Sequence, residues 1–200
     1  KLIAQHPVVI ADGHHRYAIS RTYRDENPKL KDAKSTLCYI NELIDEQLSV
    51  AAIHRLYSEV EIGSLLAQLQ KYFDVIDLPT LTPAIIAKMS QDSHLTFVAP
   101  TGQAKSLKPK PEMFAGVRNL DSVFLEHALA DIDKSVSYQH GFTEVTTQLK
   151  TGKYTAAILI RPVSVAEIQR TAAEGLLMPP KSTFFTPKLQ TGLVIRPLSN

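Results

Sequence analysis

Apolar side chains recur at intervals of three and four between Glu61 and Phe73, where Ile62, Leu65, Leu66, Leu69 and Phe73 share one side. That spacing predicts an amphipathic helix. Short apolar runs rich in β-branched residues predict strands instead. Such runs are Val8–Ile10, Thr36–Leu43, Leu48–Leu56, Val75–Ile76, Leu95–Ala99, Val136–His140, Tyr154–Arg161 and Gly192–Arg196. The run Tyr154–Arg161 is the most apolar, and Pro162 ends it, so it reads as a central strand. Further helices are predicted from His14 to about Asp25, from Pro83 to Met89, from Asp121 to Ile132, and from Thr143 to Leu149, closed by Gly152. Ser164 with Glu167 three residues on forms a capping-box pair, so another helix starts there and ends near Gly175. The elements together predict an α+β fold: a mixed sheet with packed helices. The helix–strand alternation around residues 60 to 130 reads as an inserted α/β lobe.

One stretch carries more chemistry than the others. Val8-Val9-Ile10-Ala11-Asp12-Gly13-His14-His15-Arg16-Tyr17 reads as strand, tight turn and helix. Asp12 is a candidate cap and Gly13 lets the backbone turn sharply. Tyr17, Ile19 and Tyr23 can share the apolar side of the helix that follows. A strand turning through glycine into a helix aims free amides at one point, which suits an anion. Gly13, His14, His15 and Arg16 stand at that point, and arginine offers a donor fork matched to phosphate oxygens. The alternative is purely local: Asp12 caps the helix and the imidazoles lie in solvent. A second loop, Met178-Pro179-Pro180-Lys181-Ser182-Thr183-Phe184-Phe185, has neither helix nor strand logic. It can hold Lys181 against a phosphate, with Ser182 or Thr183 offering a hydroxyl. It can equally be a rigid turn that seats Phe184 and Phe185 in the core.

Composition sets bounds rather than identity. The 200 residues are 44% hydrophobic and 21% charged, with net charge +2, ordinary for a globular chain. The charge balance alone favours neither nucleic acid nor membrane. No apolar run reaches the roughly 20 residues that span a bilayer, and no signal peptide is expected. Cys38 is the single cysteine, which excludes an internal disulfide framework and fits a cytoplasmic setting. Its apolar neighbours predict a buried thiol in a strand, unsuited to catalysis. The chain starts at Lys1, a few residues before its most informative motif. This predicts that an N-terminal portion of the natural protein is missing and is itself a partner of the site.

Three stretches together carry a resemblance. They are Ile10-Ala11-Asp12-Gly13-His14-His15-Arg16-Tyr17, the segment Leu48 to Leu56 with His54-Arg55, and Met178 through Leu198. In these the chain resembles a bacterial and archaeal family known only as domain of unknown function 1015. That family is in turn similar to the ParB and sulfiredoxin superfamily. Members of the superfamily hold nucleotide phosphates with a Gly-x-His-Arg or Gly-Glu-Arg-Arg motif at a helix start, and a free-serine kinase among them has a similar Asp-Gly-His turn. The resemblance implies that Gly13, His14, His15 and Arg16 bind the phosphates of a nucleotide. ATP or another nucleotide with Mg2+ is then the expected cofactor. The superfamily's metal-binding motif lies upstream of the residues present here. The superfamily includes a CTPase switch, a phosphotransferase and a reductase, so the resemblance names a ligand class and not a reaction. Sulfiredoxin-like chemistry needs a cysteine in the phosphate turn, where this chain has a histidine.

The expected function is therefore binding of a nucleotide or phosphorylated small molecule, with phosphoryl transfer as the candidate reaction. Arg16, Lys181, Ser182, Thr183 and the pair His54-Arg55 are the candidate phosphate contacts. His15 or Asp12 is the candidate general base. A metal site from His14, His15, His54, Asp12 and His140 lacks any structural-zinc spacing, and no dedicated metal site is expected. The rivals are a ParB-related nucleic-acid module and a non-catalytic structural domain. The basic stretch Lys105 to Arg118 could serve nucleic acid, but it lacks the aromatic ladder such surfaces carry. It reads as a solvated loop or edge strand.

Overall fold

The computed structural model describes residues 3–44, 48–79, 81–186, 188, 192 and 194–198. The chain divides into two compact units: Lys1–Ser49 with Phe185–Asn200, and Val50–Phe184.

The larger unit is built on a six-stranded sheet of order β3-β5-β4-β7-β2-β6. Its strands are β2 (Ile53–Ser58), β3 (Phe73–Leu78), β4 (Leu95–Val98), β5 (Ala104–Pro109), β6 (Ser135–His140) and β7 (Ala156–Leu159). The α+β class is as the sequence predicts. The sheet, however, is antiparallel in all five of its pairings rather than mixed. In its middle Phe97 faces Ile158 and Tyr57 faces Ala156.

Both faces of the sheet are covered, and the sequence shows why. Alternate side chains on a strand point to opposite faces. Ala156, Ile158 and Ile160 join one core with Tyr57, Leu95, Phe97 and Leu107, under α2 (Ile62–Tyr72) and α4 (Asp121–Ala128). Ala157 and Leu159 join the other with Leu56 and Val98, under α3 (Pro83–Gln91) and α5 (Phe142–Lys150). A strand buried on both faces must be apolar at every position, hence the unbroken run at β7. Residues 60 to 130, read as an inserted lobe, supply β3, β4 and β5 of this same sheet, where β4 pairs with β7. β5 lies between β3 and β4, so the basic stretch begins as an interior strand rather than an edge.

Local signals place the helix ends. Thr82 accepts from the Ile85 amide at 3.4 Å and starts α3 with Pro83 in its first turn. Ser164 accepts from the Glu167 amide at 3.2 Å and starts α6 (Val165–Ala173). Asp121 does not cap α4: Leu120 holds that position, and the carboxylate turns to Arg161.

The smaller unit holds α1 (His14–Glu26) and two short 3-10 turns, Ile3–Gln5 and Lys31–Lys34. β1 (Ser49–Ala51) and β8 (Phe184–Thr186) form a two-stranded sheet. Two expected strands are absent here. Val8–Ile10 and Thr36–Leu43 form no ladder among the described residues, and Leu37 and Tyr39 are 62% and 72% exposed. Strand propensity largely reports packing on a pleated surface, and without such a surface the β-branched runs stay irregular. Cys38 is accordingly exposed, not buried. Of the expected last strand, residue 193 lies outside the described residues. Val194, Ile195 and Arg196 are exposed and irregular.

Candidate functional site

The site residues of the smaller unit gather at the start of α1. Gly13 is its N-cap, at φ 86° and ψ 25°, a left-handed conformation that glycine takes without penalty. Asp12, expected to cap the helix, instead accepts from the Gly13 amide at 2.9 Å. The Tyr17 amide donates to the Gly13 carbonyl at 2.9 Å, closing the first helical turn. The amides of His14, His15 and Arg16 precede that bond, so the helix itself offers them no acceptor.

Arg16 folds back over this turn. A Cβ added at Gly13 would lie 3.0 Å from its Nη2 and 3.1 Å from its Nε. Asp12 Oδ2 stands 3.6 Å from Arg16 Nη2 and accepts from Lys188 Nζ at 3.0 Å. Burial works to raise the Asp12 pKa, but it is outweighed. The hydrogen bond and charge of Lys188, the Gly13 amide and the Arg16 charge together hold it below the usual value. Asp12 is thus a stabilised carboxylate and a weak base. His14, His15 and Arg16 are exposed. The helix behind them buries no side chain, and Tyr17, Ile19 and Tyr23 are all exposed.

The larger unit holds the other candidates, in a different environment. His54 is 7% exposed, and its Nδ1 accepts from the Ile160 amide at 3.2 Å. Burial, then the charges of Arg55 and His140, lower its pKa to about 4. The ring is therefore neutral at ordinary pH, with its proton on Nε2. Arg55 is 3% exposed. Its Nη1 donates to the Ile53 carbonyl and, at 3.0 Å, to the Lys181 carbonyl. Its guanidinium carbon lies 4.9 Å from the Tyr138 ring centroid.

This contact fixes the proline loop. Lys181 adopts φ 56°, and its side chain is exposed. Ser182 is 1% exposed, and its hydroxyl lies 3.1 Å from that of Ser122. The Ser182 hydroxyl is therefore committed to an internal bond and not turned to a phosphate. Thr183 is half-buried, and Phe184 stacks on His140 with centroids 4.3 Å apart. The structure thus brings together Asp12, Gly13, His14, His15 and Arg16 in one unit, and His54, Arg55, Lys181, Ser182 and Thr183 in the other.

Sequence reasoning missed the ion pair between Asp121 and Arg161. Asp121 is buried, accepts from the Arg161 amide at 2.8 Å, and faces Arg161 Nε at 3.1 Å from both oxygens. An arginine closing the most apolar strand was the available signal. The role of Lys188 beside Asp12 had none, since 176 residues separate them. Two lysines of the basic stretch have internal partners. Lys105 pairs with Asp77, and Lys110 Nζ donates to the Gln70 carbonyl at 2.7 Å. Among the described residues no three His, Cys, Asp or Glu side chains gather as a metal site, and no helix is long and apolar enough to cross a membrane.

The family model described as "Protein of unknown function (DUF1015)" matches residues 1–123, which include the Asp12–Arg16 turn and the His54-Arg55 pair. The chain belongs to this family. No curated protein matches the sequence. Solved structures are similar in fold. One is a conserved hypothetical protein from Pyrococcus furiosus, at TM-score 0.55 and 14% identity, covering 88% of this chain and 69% of that one. Another is a free serine kinase in complex with AMP, at TM-score 0.54 and 13% identity, covering 88% of this chain and 66% of that one. A mutant of a free serine kinase in complex with ADP is similar at TM-score 0.53 and 13% identity, with 88% and 66% covered. This DUF1015 chain therefore spans about two thirds of the length of those structures and shares their fold.

Proposed function

We propose that this DUF1015 protein binds a nucleotide or phosphorylated small molecule at the Asp12–Arg16 turn and transfers a phosphoryl group from it. The observation that carries the reading is the close approach of the Arg16 guanidinium to a Cβ-less Gly13, beside the first amides of α1. Three amides, the helix N-terminus and a guanidinium fork then converge on one phosphate. The fold likeness to free serine kinases captured with AMP and ADP supports the same ligand class. A nucleotide would also suit the wider kinship with ParB and sulfiredoxin that the motif suggests.

In this reading Arg16 and the amides of His14 and His15 neutralise charge on the transferred group. The bond from the terminal phosphorus to the nucleotide's bridging oxygen breaks, and a bond to the acceptor oxygen forms. His15, exposed at the turn, takes the acceptor's proton, a task that suits an imidazole at neutral pH. Asp12 orients Arg16 rather than accepting that proton, because it is already held as a carboxylate by two hydrogen-bond donors and the Arg16 charge. With those donors in place Asp12 does not fit as a magnesium ligand. Lys181 is the one member of the proline loop whose side chain is turned to solvent and suited to a phosphate.

Calorimetric titration of ATP, ADP and AMP into the parent, Arg16→Ala and His15→Ala proteins tests this. Losing a charged hydrogen-bond donor costs roughly 1.5–3 kcal/mol, so Arg16→Ala binds about tenfold to a hundredfold more weakly. His15→Ala retains binding and loses transfer. Equal affinity in the parent and Arg16→Ala would remove the reading.

A further inference from the structure

His54 carries a hydrogen-bond donor that its neighbours leave unused. Two residues before Leu56 on β2, it shares that residue's face of the sheet, the one under α3 and α5. Its Nδ1 accepts from the Ile160 amide, which leaves the proton of the neutral ring on Nε2. That Nε2 has no hydrogen-bond partner among the described residues, yet it keeps surface that a water molecule can touch. A cavity of about 200 Å³ lies against His54 on this face, bounded by α3 and the start of α5. Ile86, Met89, Phe142 and Ile160 give it an apolar wall. Among the described residues, only His54, Ser90 and Arg161 bring polar side chains to it. Arg161 is charged, but its Nε and Nη2 are held by the Asp121 carboxylate. The polar end is therefore neutral on balance and has donors to spare.

We propose that this cavity binds a small uncharged molecule with an apolar, ring-sized body and a carbonyl oxygen that accepts from His54 Nε2. Water alone is a poor occupant. A buried water makes about three hydrogen bonds, and the side chains of Ile86, Met89, Phe142 and Ile160 offer it none. An apolar body that displaces such water gains affinity. An apolar cavity of roughly 150 Å³ takes benzene, so this one has room for a ring and one small substituent. A carboxylate suits the site less than a carbonyl. With His54 neutral and Arg161 paired to Asp121, a buried anion would find no counter-charge of its own. The site is independent of the Asp12–Arg16 turn, since all its residues lie between Val50 and Phe184.

Benzamide and benzoate, titrated at neutral pH into the isotope-labelled parent protein, are the probes. NMR resonances of the His54 side chain and the Ile160 amide give the readout. Benzamide is expected to shift both saturably, and benzoate to bind about tenfold more weakly or not at all. Ile86→Trp, which fills the cavity from a half-buried position, is expected to lose the benzamide response. A benzamide-soaked crystal of the parent, which needs no variant, is expected to place the carbonyl oxygen about 3 Å from His54 Nε2. Equal responses to the two compounds would overturn the proposal, as would no response to benzamide. So would a soaked crystal in which water alone fills the cavity, or undiminished benzamide binding by Ile86→Trp.

Discussion

The Arg16 guanidinium stands over the one face of Gly13 that a side chain would occupy, with Nη2 3.0 Å from where a Cβ would sit. The two residues are thus fitted to each other across the first turn of α1. Gly13→Ala meets two penalties. Its φ of 86° costs roughly 1–2 kcal/mol for a residue with a Cβ, and the guanidinium must move away. The variant is expected to lower the Tm and to weaken nucleotide binding. Arg16→Ala is expected to weaken binding without that loss of stability. Paired thermal and calorimetric measurements on the two separate backbone strain from lost charge.

His54 gives the larger unit a pH dependence whose sign is set by burial. Its pKa is depressed from 6.5 to about 4, so the unfolded chain takes up a proton before the folded one does. Stability is full above pH 6.5, falls as pH drops from 6.5 toward 4, and levels off below. The span corresponds to roughly 3 kcal/mol. His54→Gln keeps an acceptor for the Ile160 amide and cannot titrate. Urea denaturation between pH 7 and 4 is expected to show a steeper decline in the parent than in this variant.

Asp121 and Arg161 couple the start of α4 to the end of β7. Asp121→Ala leaves a half-buried guanidinium without its counter-charge and the Arg161 amide without its acceptor. Losing one partner of a buried pair costs about 3–5 kcal/mol. Denaturant midpoints of Asp121→Ala and Asp121→Asn are expected to fall, more for alanine, since asparagine still accepts from the amide.

Cys38 is exposed in an irregular stretch. It is expected to react with a thiol reagent in the native protein as fast as after denaturation. Protection in the native state would restore the buried strand that its apolar neighbours suggest.

Legibility in the sequence followed burial. The run that becomes β7 was readable because the surfaces above and below demand apolar side chains at every position, and the run that becomes β4 departs from this only at Thr96. Helix α6 was readable from one capping pair, Ser164 and Glu167. Val8–Ile10 and Thr36–Leu43 misled because β-branched content signals a strand only where a sheet receives it. The turn at Gly13 was legible as glycine, histidines and arginine in a row. The partners of Asp12 and Arg55 were not, since Lys188 and Lys181 come from the far end of the chain. Ser182 was misread because a hydroxyl beside a lysine looks available until its neighbour Ser122 is known.

The most direct test of the phosphate turn is a crystal structure of the protein with ADP. Phosphate oxygens are expected about 3 Å from the amides of His14 and His15, with a two-point contact from Arg16. A nucleotide bound elsewhere, with the Asp12–Arg16 turn facing only solvent, would contradict it.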